Sequence, residues 1–135
     1  MNPPPSPSAP VGPDADPPQL DAASVARLRE LDPDGKHGVL PRVLQAFETS
    51  LQKQSVLTRE ARQRNDAAAL GAIAHLLKSS SASVGALALA ARCVEIERAV
   101  RAGQGIDVAA EVENLLTEVG RALVAVRAML HPGPR

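Results

Sequence analysis

The chain has 135 residues, of which 44% are hydrophobic and 22% are charged, as is typical of one globular domain with a modest core. Its 15 basic and 15 acidic side chains cancel, which argues against a whole-molecule attraction to nucleic acid or to an anionic membrane. Phe47 is the one aromatic residue, which argues against stacking on the bases of single-stranded nucleic acid. The single cysteine, Cys93, excludes an internal disulfide and suits a reducing compartment.

The first 19 residues, MNPPPSPSAPVGPDADPPQ, are rich in proline. Proline lacks a backbone donor and restricts the residue before it, so residues 1–19 are predicted to be a disordered tail or linker. A plain tether is favoured over a proline-rich docking peptide. The segment lacks the basic and apolar regions of a signal peptide, and no apolar run is long enough to cross a bilayer. We therefore expect a cytoplasmic protein.

From residue 20 the composition changes to alanine, leucine, valine, arginine and glutamate with helical periodicity. A short helix is predicted from Asp21 to Leu31, stopped by the sequence DPDG. A long helix begins near Leu40 and runs to about Arg64, and Asn65-Asp66 then supplies a turn and a new N-cap.

Three further helices follow this turn. The third ends near Gly85, the fourth ends at Gly103 or Gly105, and the fifth follows Asp107. Apolar or small residues at steps of three and four define the inward faces of these helices: Leu70, Ile73, Leu77, Ser81 and Val84; Leu89, Cys93, Ile96 and Val100; Val108, Val112, Leu115, Val119, Ala122, Val126 and Met129.

No segment alternates with period two over a useful length, so the fold class is all-α. Four helices of similar length joined by short turns favour an antiparallel up-down four-helix bundle, and the short N-terminal helix would cap one end. The predicted bundle spans residues 20–131, followed by a disordered C-terminus at 132–135.

His75 is the strongest candidate for chemistry. Counting 100° per residue places it well away from the buried stripe of the third helix. Its neighbours on the outer face, Gly71, Ser79 and Ala82, are small where an exposed helix usually carries long charged side chains. This pattern predicts a docking face on which another protein comes close to the imidazole.

Lys78 is the one charged residue within a turn of His75 along the sequence. A neutral imidazole is a competent nucleophile near neutral pH, and an adjacent cation would stabilise an attached phosphoryl group. The spacing alone still favours an ordinary surface histidine beside a surface lysine.

The sequence HLLKSSSASVGA, from His75 to Ala86, resembles the signature of histidine-containing phosphotransfer (HPt) domains. In that signature a lysine lies three residues after the histidine and is followed by a small residue and then, usually, by a serine or alanine. A glycine lies ten residues after the histidine. The resemblance covers about residues 20 to 130, and the family fold is also an antiparallel four-helix bundle. Further apolar and turn positions match at Phe47, Leu51, Asn65-Asp66, Leu70, Ala74, Cys93 and Ile96-Glu97.

The resemblance implies that His75 is the phosphorylated histidine and that Lys78 orients and neutralises the phosphoryl group. Ser79 departs from the glycine that is common at its position, but it remains small, so docking is expected to survive. Gly85 resembles the glycine that permits close helix contact, which is a structural role.

On this resemblance the protein is a phosphorelay carrier. His75 would accept a phosphoryl group from a receiver-domain aspartate and pass it to another receiver.

The sequence has no glycine-rich phosphate loop and no carboxylate cluster for Mg²⁺, so we expect no ATP site, autokinase activity, cofactor or metal in this chain. Mg²⁺ is expected in the partner receiver domain, and a hybrid sensor kinase is a further candidate partner. We expect a monomer that binds neither nucleic acid nor a membrane.

Two alternatives stay open. The chain could be a non-transferring helical module that binds a receiver or a histidine kinase, or a helical adaptor in an unrelated complex. The sequence is also compatible with both a stand-alone protein and the C-terminal domain of a hybrid kinase.

The remaining reactive residues are predicted to be structural or solvated. His37 falls in a loop and His131 at the C-terminus, and the histidines lack metal-binding spacing. Cys93 is read as a small core residue. The charged residues of the fourth helix are predicted to form a solvated, paired face: Arg92, Arg98 and Arg101 with Glu95 and Glu97.

Overall fold

A computed structural model describes residues 18–103 and 105–133. Within these ranges the chain forms five α-helices and no strand. Residues 1–17 of the predicted tail and residues 134–135 of the predicted C-terminus lie outside the described ranges. The helices are α1 (Ala22–Glu30), α2 (Val39–Gln63), α3 (Ala67–Val84), α4 (Leu87–Ala102) and α5 (Val108–Leu130).

The helix boundaries follow from local side-chain chemistry. Three helices begin at an aspartate whose carboxylate accepts a backbone N–H of the first turn, at 3.0 to 3.1 Å, in α1, α3 and α5. The capping residues are Asp21, Asp66 and Asp107. At the other end, α3 and α4 stop at glycines in the left-handed conformation, Gly85 and Gly103. The predicted boundaries are therefore confirmed to within about a residue.

Helices α2 to α5 form a four-helix bundle, in which α3 packs chiefly against α4 and α2 against α5. Helix α1 lies against α2 and α3. The predicted all-α bundle with an extra N-terminal helix is thus confirmed. Its hydrophobic cluster is aliphatic, apart from Phe47 and Cys93, and a few hydroxyl side chains such as Ser81 are also buried. The cluster contains residues predicted from the periodicity, including Leu51, Leu70, Leu77, Ile96 and Leu115.

The loop between α1 and α2 is organised by one buried carboxylate. Asp32 accepts the backbone N–H groups of His37 and Val39 at 3.1 to 3.2 Å. These bonds satisfy donors at the start of α2, whose own N-cap is Gly38. His37 is thereby part of a loop, as predicted. Among the described helices, none has the length and apolar character needed to span a membrane.

Candidate functional site

His75 lies near the middle of α3, and 71% of its side chain is exposed. The opposite side of the same helix is buried in the bundle through Leu70, Ile73 and Leu77. This stripe fixes the rotation of α3, so the backbone rather than a mobile loop presents the imidazole to solvent.

The exposed side of α3 carries no permanently charged residue along the whole length of this helix. A solvated helix face normally contains lysine or glutamate, so this surface is unusual for one that faces only water. We call it the α3 face, and its exposed members are Ala68, Ala72, His75, Leu76, Ser79, Ala82 and Ser83.

Two grooves flank the α3 face. A groove of about 290 Å³ between α2 and α3 is lined by Leu57, Ala72 and Leu76, among others. The other groove, of about 570 Å³, lies between α1 and α3 and includes Leu31 and Ala82. Leu76 is 54% exposed and Leu31 67% exposed. The α3 face therefore combines small residues with one exposed leucine in each flanking groove.

Gly71 does not belong to this open face, which corrects the sequence-based prediction. It is half-buried, and a Cβ atom added at this position would lie 2.9 Å from Cγ1 of Val100. Real Cβ atoms essentially never approach so closely. Gly71 is small because α4 packs against α3 here. The other two predicted members, Ser79 and Ala82, are exposed.

Glu97, on α4, is the main feature of the site that the sequence reasoning missed. Its Oε2 lies 2.6 Å from Nδ1 of His75, and its Oε1 accepts a hydrogen bond of 2.6 Å from Nζ of Lys78. Glu97 was predicted to belong to a solvated face, but its side chain is only 13% exposed. Lys78 is therefore not the only charge beside His75. One signal was present, because Ile96-Glu97 was among the positions that match the family.

A second cation reaches the same carboxylate. Arg101, one turn further along α4, donates from Nη2 to Oε2 of Glu97 at 3.2 Å, and its side chain is 74% exposed. The sequence predicted only that the arginines of α4 pair with its glutamates, and the structure shows two such pairs: Arg101 with Glu97, and Arg92 with Glu95 at 2.9 Å. The surroundings of His75 thus contain one carboxylate and two cations.

These contacts keep Glu97 ionised. The hydrogen bonds from Lys78 and then from His75 lower the pKa of Glu97 to about 2, although partial burial acts in the opposite direction. An ionised carboxylate is a strong acceptor, so it favours the imidazole tautomer that carries its proton on Nδ1. That tautomer leaves the lone pair on Nε2, the nitrogen that can act as a nucleophile.

Gly85 lies where α3 meets the start of α1. Its φ is +90°, and an added Cβ would lie 2.7 Å from the backbone nitrogen of Asp21. Its carbonyl accepts that same N–H at 2.9 Å. A side chain at this position would therefore be strained and would also separate α1 from the bundle.

The other candidates have structural positions. Cys93 is fully buried, and burial raises the pKa of its thiol to about 11, as expected of a core residue. The Ser80 hydroxyl donates to the Leu77 carbonyl at 3.3 Å, and His131 caps the end of α5. Within residues 18–103 and 105–133, no three histidine, cysteine, aspartate or glutamate side chains are grouped so as to hold a metal ion.

Fold and site together define a helical bundle that presents one exposed histidine, held by Glu97 and flanked along its helix by small residues. The family model of the Hpt domain matches residues 42–130, which is more than half of the chain. The chain therefore belongs to the Hpt domain family. This membership supports a general role as a phosphotransfer carrier.

Two relatives agree with this assignment. The phosphorelay protein LuxU of Vibrio cholerae serotype O1 is 46% identical over 44 residues, which are 33% of this chain and 39% of that protein. The match thus spans less than two thirds of LuxU. The crystal structure of histidine-containing phosphotransfer protein B (HptB) from Pseudomonas aeruginosa PAO1 superposes with a TM-score of 0.73 and 27% identity, covering 88% of this chain and 100% of that one.

Proposed function

We propose that this chain is a carrier in a multistep phosphorelay. His75 accepts a phosphoryl group from the aspartate of one receiver domain and passes it to the aspartate of another. The observation that carries this proposal is the exposed His75 ring, whose Nδ1 lies 2.6 Å from Oε2 of Glu97. The acceptor nitrogen is thereby oriented outward from a rigid helix.

The accepting step needs only groups that the two proteins supply. The lone pair of Nε2 forms a bond to phosphorus while the bond from phosphorus to the aspartyl oxygen breaks, and that electron pair leaves with the carboxylate. The proton on Nδ1 stays between the ring and Glu97. In the passing step the new aspartate attacks, the bond between nitrogen and phosphorus breaks, and its electron pair returns to Nε2.

The division of labour follows from the surface. This chain supplies the nucleophile, the nearby cations Lys78 and Arg101, and the α3 face. The receiver supplies the aspartate and the Mg²⁺ that a phosphoryl transfer requires. Since Ser79 and Ala82 are small and Leu76 is exposed, a receiver could cover the α3 face without burying an unpaired charge. We infer a cytoplasmic site of action, where such receivers would be met.

The deciding experiment is incubation with a panel of phosphorylated receiver domains. We expect the wild type to take up acid-labile phosphate, because phosphoramidates are hydrolysed in acid and phosphoserine is not. His75→Gln should take up none, while its helicity and melting stay nearly unchanged, since exposed substitutions usually alter stability by within about 0.5 kcal/mol.

Two matched controls use the remaining histidines. His37→Gln and His131→Gln should label like the wild type, because neither residue lies on α3. Equal labelling of the His75→Gln variant would contradict the assignment of the acceptor. Receiver binding without any phosphate uptake by the wild type would instead support a non-transferring interaction module.

A further inference from the structure

Glu97 places a negative charge beside the imidazole ring of His75, which would carry the phosphoryl group. Its Oε2 contacts Nδ1 of His75 and Nη2 of Arg101, and its Oε1 contacts Nζ of Lys78. The carboxylate therefore engages both cations near His75 when no phosphoryl group is attached. A neutral acceptor, such as a glutamine, could orient the same ring without the charge.

We propose that the negative charge of Glu97, as distinct from its hydrogen bond to His75, shortens the lifetime of the phosphohistidine and so favours passing the phosphoryl group on. The proposal rests on the proposed function, because it concerns the phosphorylated state of the same histidine. Glu97 is a positioning residue here, since it acts through the ring and through the two cations.

Repulsion supplies the first physical reason. A phosphoryl group on Nε2 brings close to two negative charges to the ring whose other nitrogen touches Glu97. Like charges at such short range destabilise one another, and the low exposure of Glu97, 13%, limits screening by water.

Competition for the two cations and the chemistry of the leaving group also shorten the lifetime of the phosphohistidine. While Glu97 holds Lys78 and Arg101, those cations are less available to the phosphoryl group. Transfer breaks the bond between Nε2 and phosphorus, and the electron pair returns to the ring. An anion that holds the Nδ1 proton stabilises the positively charged form of the ring, from which this bond breaks most readily. Repulsion and competition for the cations destabilise the phosphorylated state relative to a glutamine variant, and the third effect speeds cleavage of the bond between Nε2 and phosphorus.

The test compares the wild type with Glu97→Gln, which keeps an acceptor oxygen and removes the charge. Both proteins are phosphorylated with the small-molecule donor phosphoramidate, the donor is removed, and loss of phosphohistidine is followed by phosphorus NMR. Glu95→Gln is the matched control, because Glu95 lies on the same helix, is exposed and pairs with Arg92 instead.

We expect the phosphohistidine of Glu97→Gln to persist roughly three to ten times longer than that of the wild type. Glu95→Gln should match the wild type. With a phosphorylated receiver present, the share of phosphate held on His75 at equilibrium should also rise in Glu97→Gln.

An unchanged or shorter lifetime in Glu97→Gln would overturn the inference while leaving the carrier function intact. If the wild type took up phosphate neither from phosphoramidate nor from any receiver, the proposed function itself would fail, and this inference with it.

Discussion

Lys78 and Glu97 form an ion pair across α3 and α4, with Nζ of the lysine 2.6 Å from Oε1 of the glutamate. The cation one turn from His75 is therefore already partnered. Any contact between Lys78 and a phosphoryl group must compete with this carboxylate. The ion pair also joins the helix that carries the acceptor to its main packing neighbour.

Replacing Lys78 with alanine is expected to slow transfer from a phosphorylated receiver without abolishing it. The transfer rate should fall about 10- to 100-fold. This fall is smaller than the largest effects of removing one electrostatic contact, because the Lys78 side chain is 35% exposed and water screens its charge. Rapid-quench assays of phosphate uptake would measure this change. Lys53→Ala, which removes an exposed cation from α2, should transfer at the wild-type rate.

Part of the fall in transfer rate should come from the Glu97 carboxylate, which loses its partner Lys78 in this variant. Lys78→Ala leaves Glu97 paired only with His75 and Arg101, so its charge opposes the incoming phosphoryl group more strongly. The double variant with Glu97→Gln should therefore transfer faster than Lys78→Ala alone, a coupling that a double-mutant cycle would detect. Wild-type rates in Lys78→Ala would show that the receiver alone neutralises the phosphoryl group.

The lowered pKa of Glu97 predicts a specific acid sensitivity. The carboxyl has an ordinary pKa of 4.5 when unfolded and about 2 in the folded protein. The folded state therefore binds this proton less readily, and the resulting stability is fully present above pH 4.5 and is lost as the pH falls towards 2. Melting temperatures across this range should fall more steeply in the wild type than in Glu97→Gln.

The same prediction can be checked at the residue itself. Carbon NMR of the Glu97 carboxyl should show a titration midpoint near pH 2, and Lys78→Ala should move it upward, because the hydrogen bond from Lys78 is the largest cause of the shift. A midpoint near 4.5 in the wild type would mean that the pairing with Lys78 is not maintained in solution.

The helices and the location of His75 could be predicted because their signals are local. Aspartate caps, left-handed glycines and a repeat of three and four residues all act within one or two turns. The contact of Glu97 with His75 could not be predicted in this way. It joins residues 22 positions apart and depends on how α4 is rotated against α3.

Gly71 shows a different limit of the sequence. A glycine on a helix is equally compatible with an open docking face and with close helix packing. Only the position of Val100, 2.9 Å from the Cβ that Gly71 lacks, distinguishes the two.

This explanation of Gly71 can be tested with two alanine substitutions. Gly120 also lies within a helix, but apart from its chain neighbours and the adjacent backbone of its own helix, nothing lies within 4 Å of a Cβ added there. Gly120→Ala should stabilise the protein by about 0.5 to 1 kcal/mol, because alanine is the better helix former. Gly71→Ala gains the same propensity but crowds Val100, whose branched side chain is stiff. We expect Gly71→Ala to be about 1 kcal/mol less stable than the wild type.

Chemical unfolding of the two variants would measure these changes. If Gly71→Ala were as stable as Gly120→Ala, α4 would have to yield easily at Val100, and the glycine would not be required for packing.

Ser81→Ala is expected to stabilise the bundle. Ser81 is fully buried, and its hydroxyl has no hydrogen-bond partner among the described residues. Removing an unsatisfied buried hydroxyl and adding helix propensity should together contribute about 1 kcal/mol. Ser55→Ala is the control, because the buried Ser55 hydroxyl donates to the Leu51 carbonyl at 2.8 Å and that bond would be lost. Urea unfolding should show a higher midpoint for Ser81→Ala but no gain for Ser55→Ala.

Ser79 tests whether partners approach over the α3 face. It is exposed one turn beyond His75, so nothing inside the bundle requires it to be small. Leucine and arginine form helices at least as well as serine, so Ser79→Leu and Ser79→Arg should melt at the wild-type temperature. A receiver must nevertheless bring its aspartyl phosphate into line with the imidazole, and a misplacement of about 1 Å can cost about 100-fold in rate.

Both bulky variants should therefore lose receiver affinity and phosphate transfer, while Ser79→Gly and Ser79→Ala retain both. Ala128→Arg adds the same bulk and charge at an exposed position of α5 and should transfer normally. Direct phosphorylation by phosphoramidate should remain close to the wild-type rate in every variant, because a small donor does not have to cover the α3 face. Wild-type transfer in Ser79→Leu and Ser79→Arg would show that receivers reach His75 from another side, even though His75 remained the acceptor.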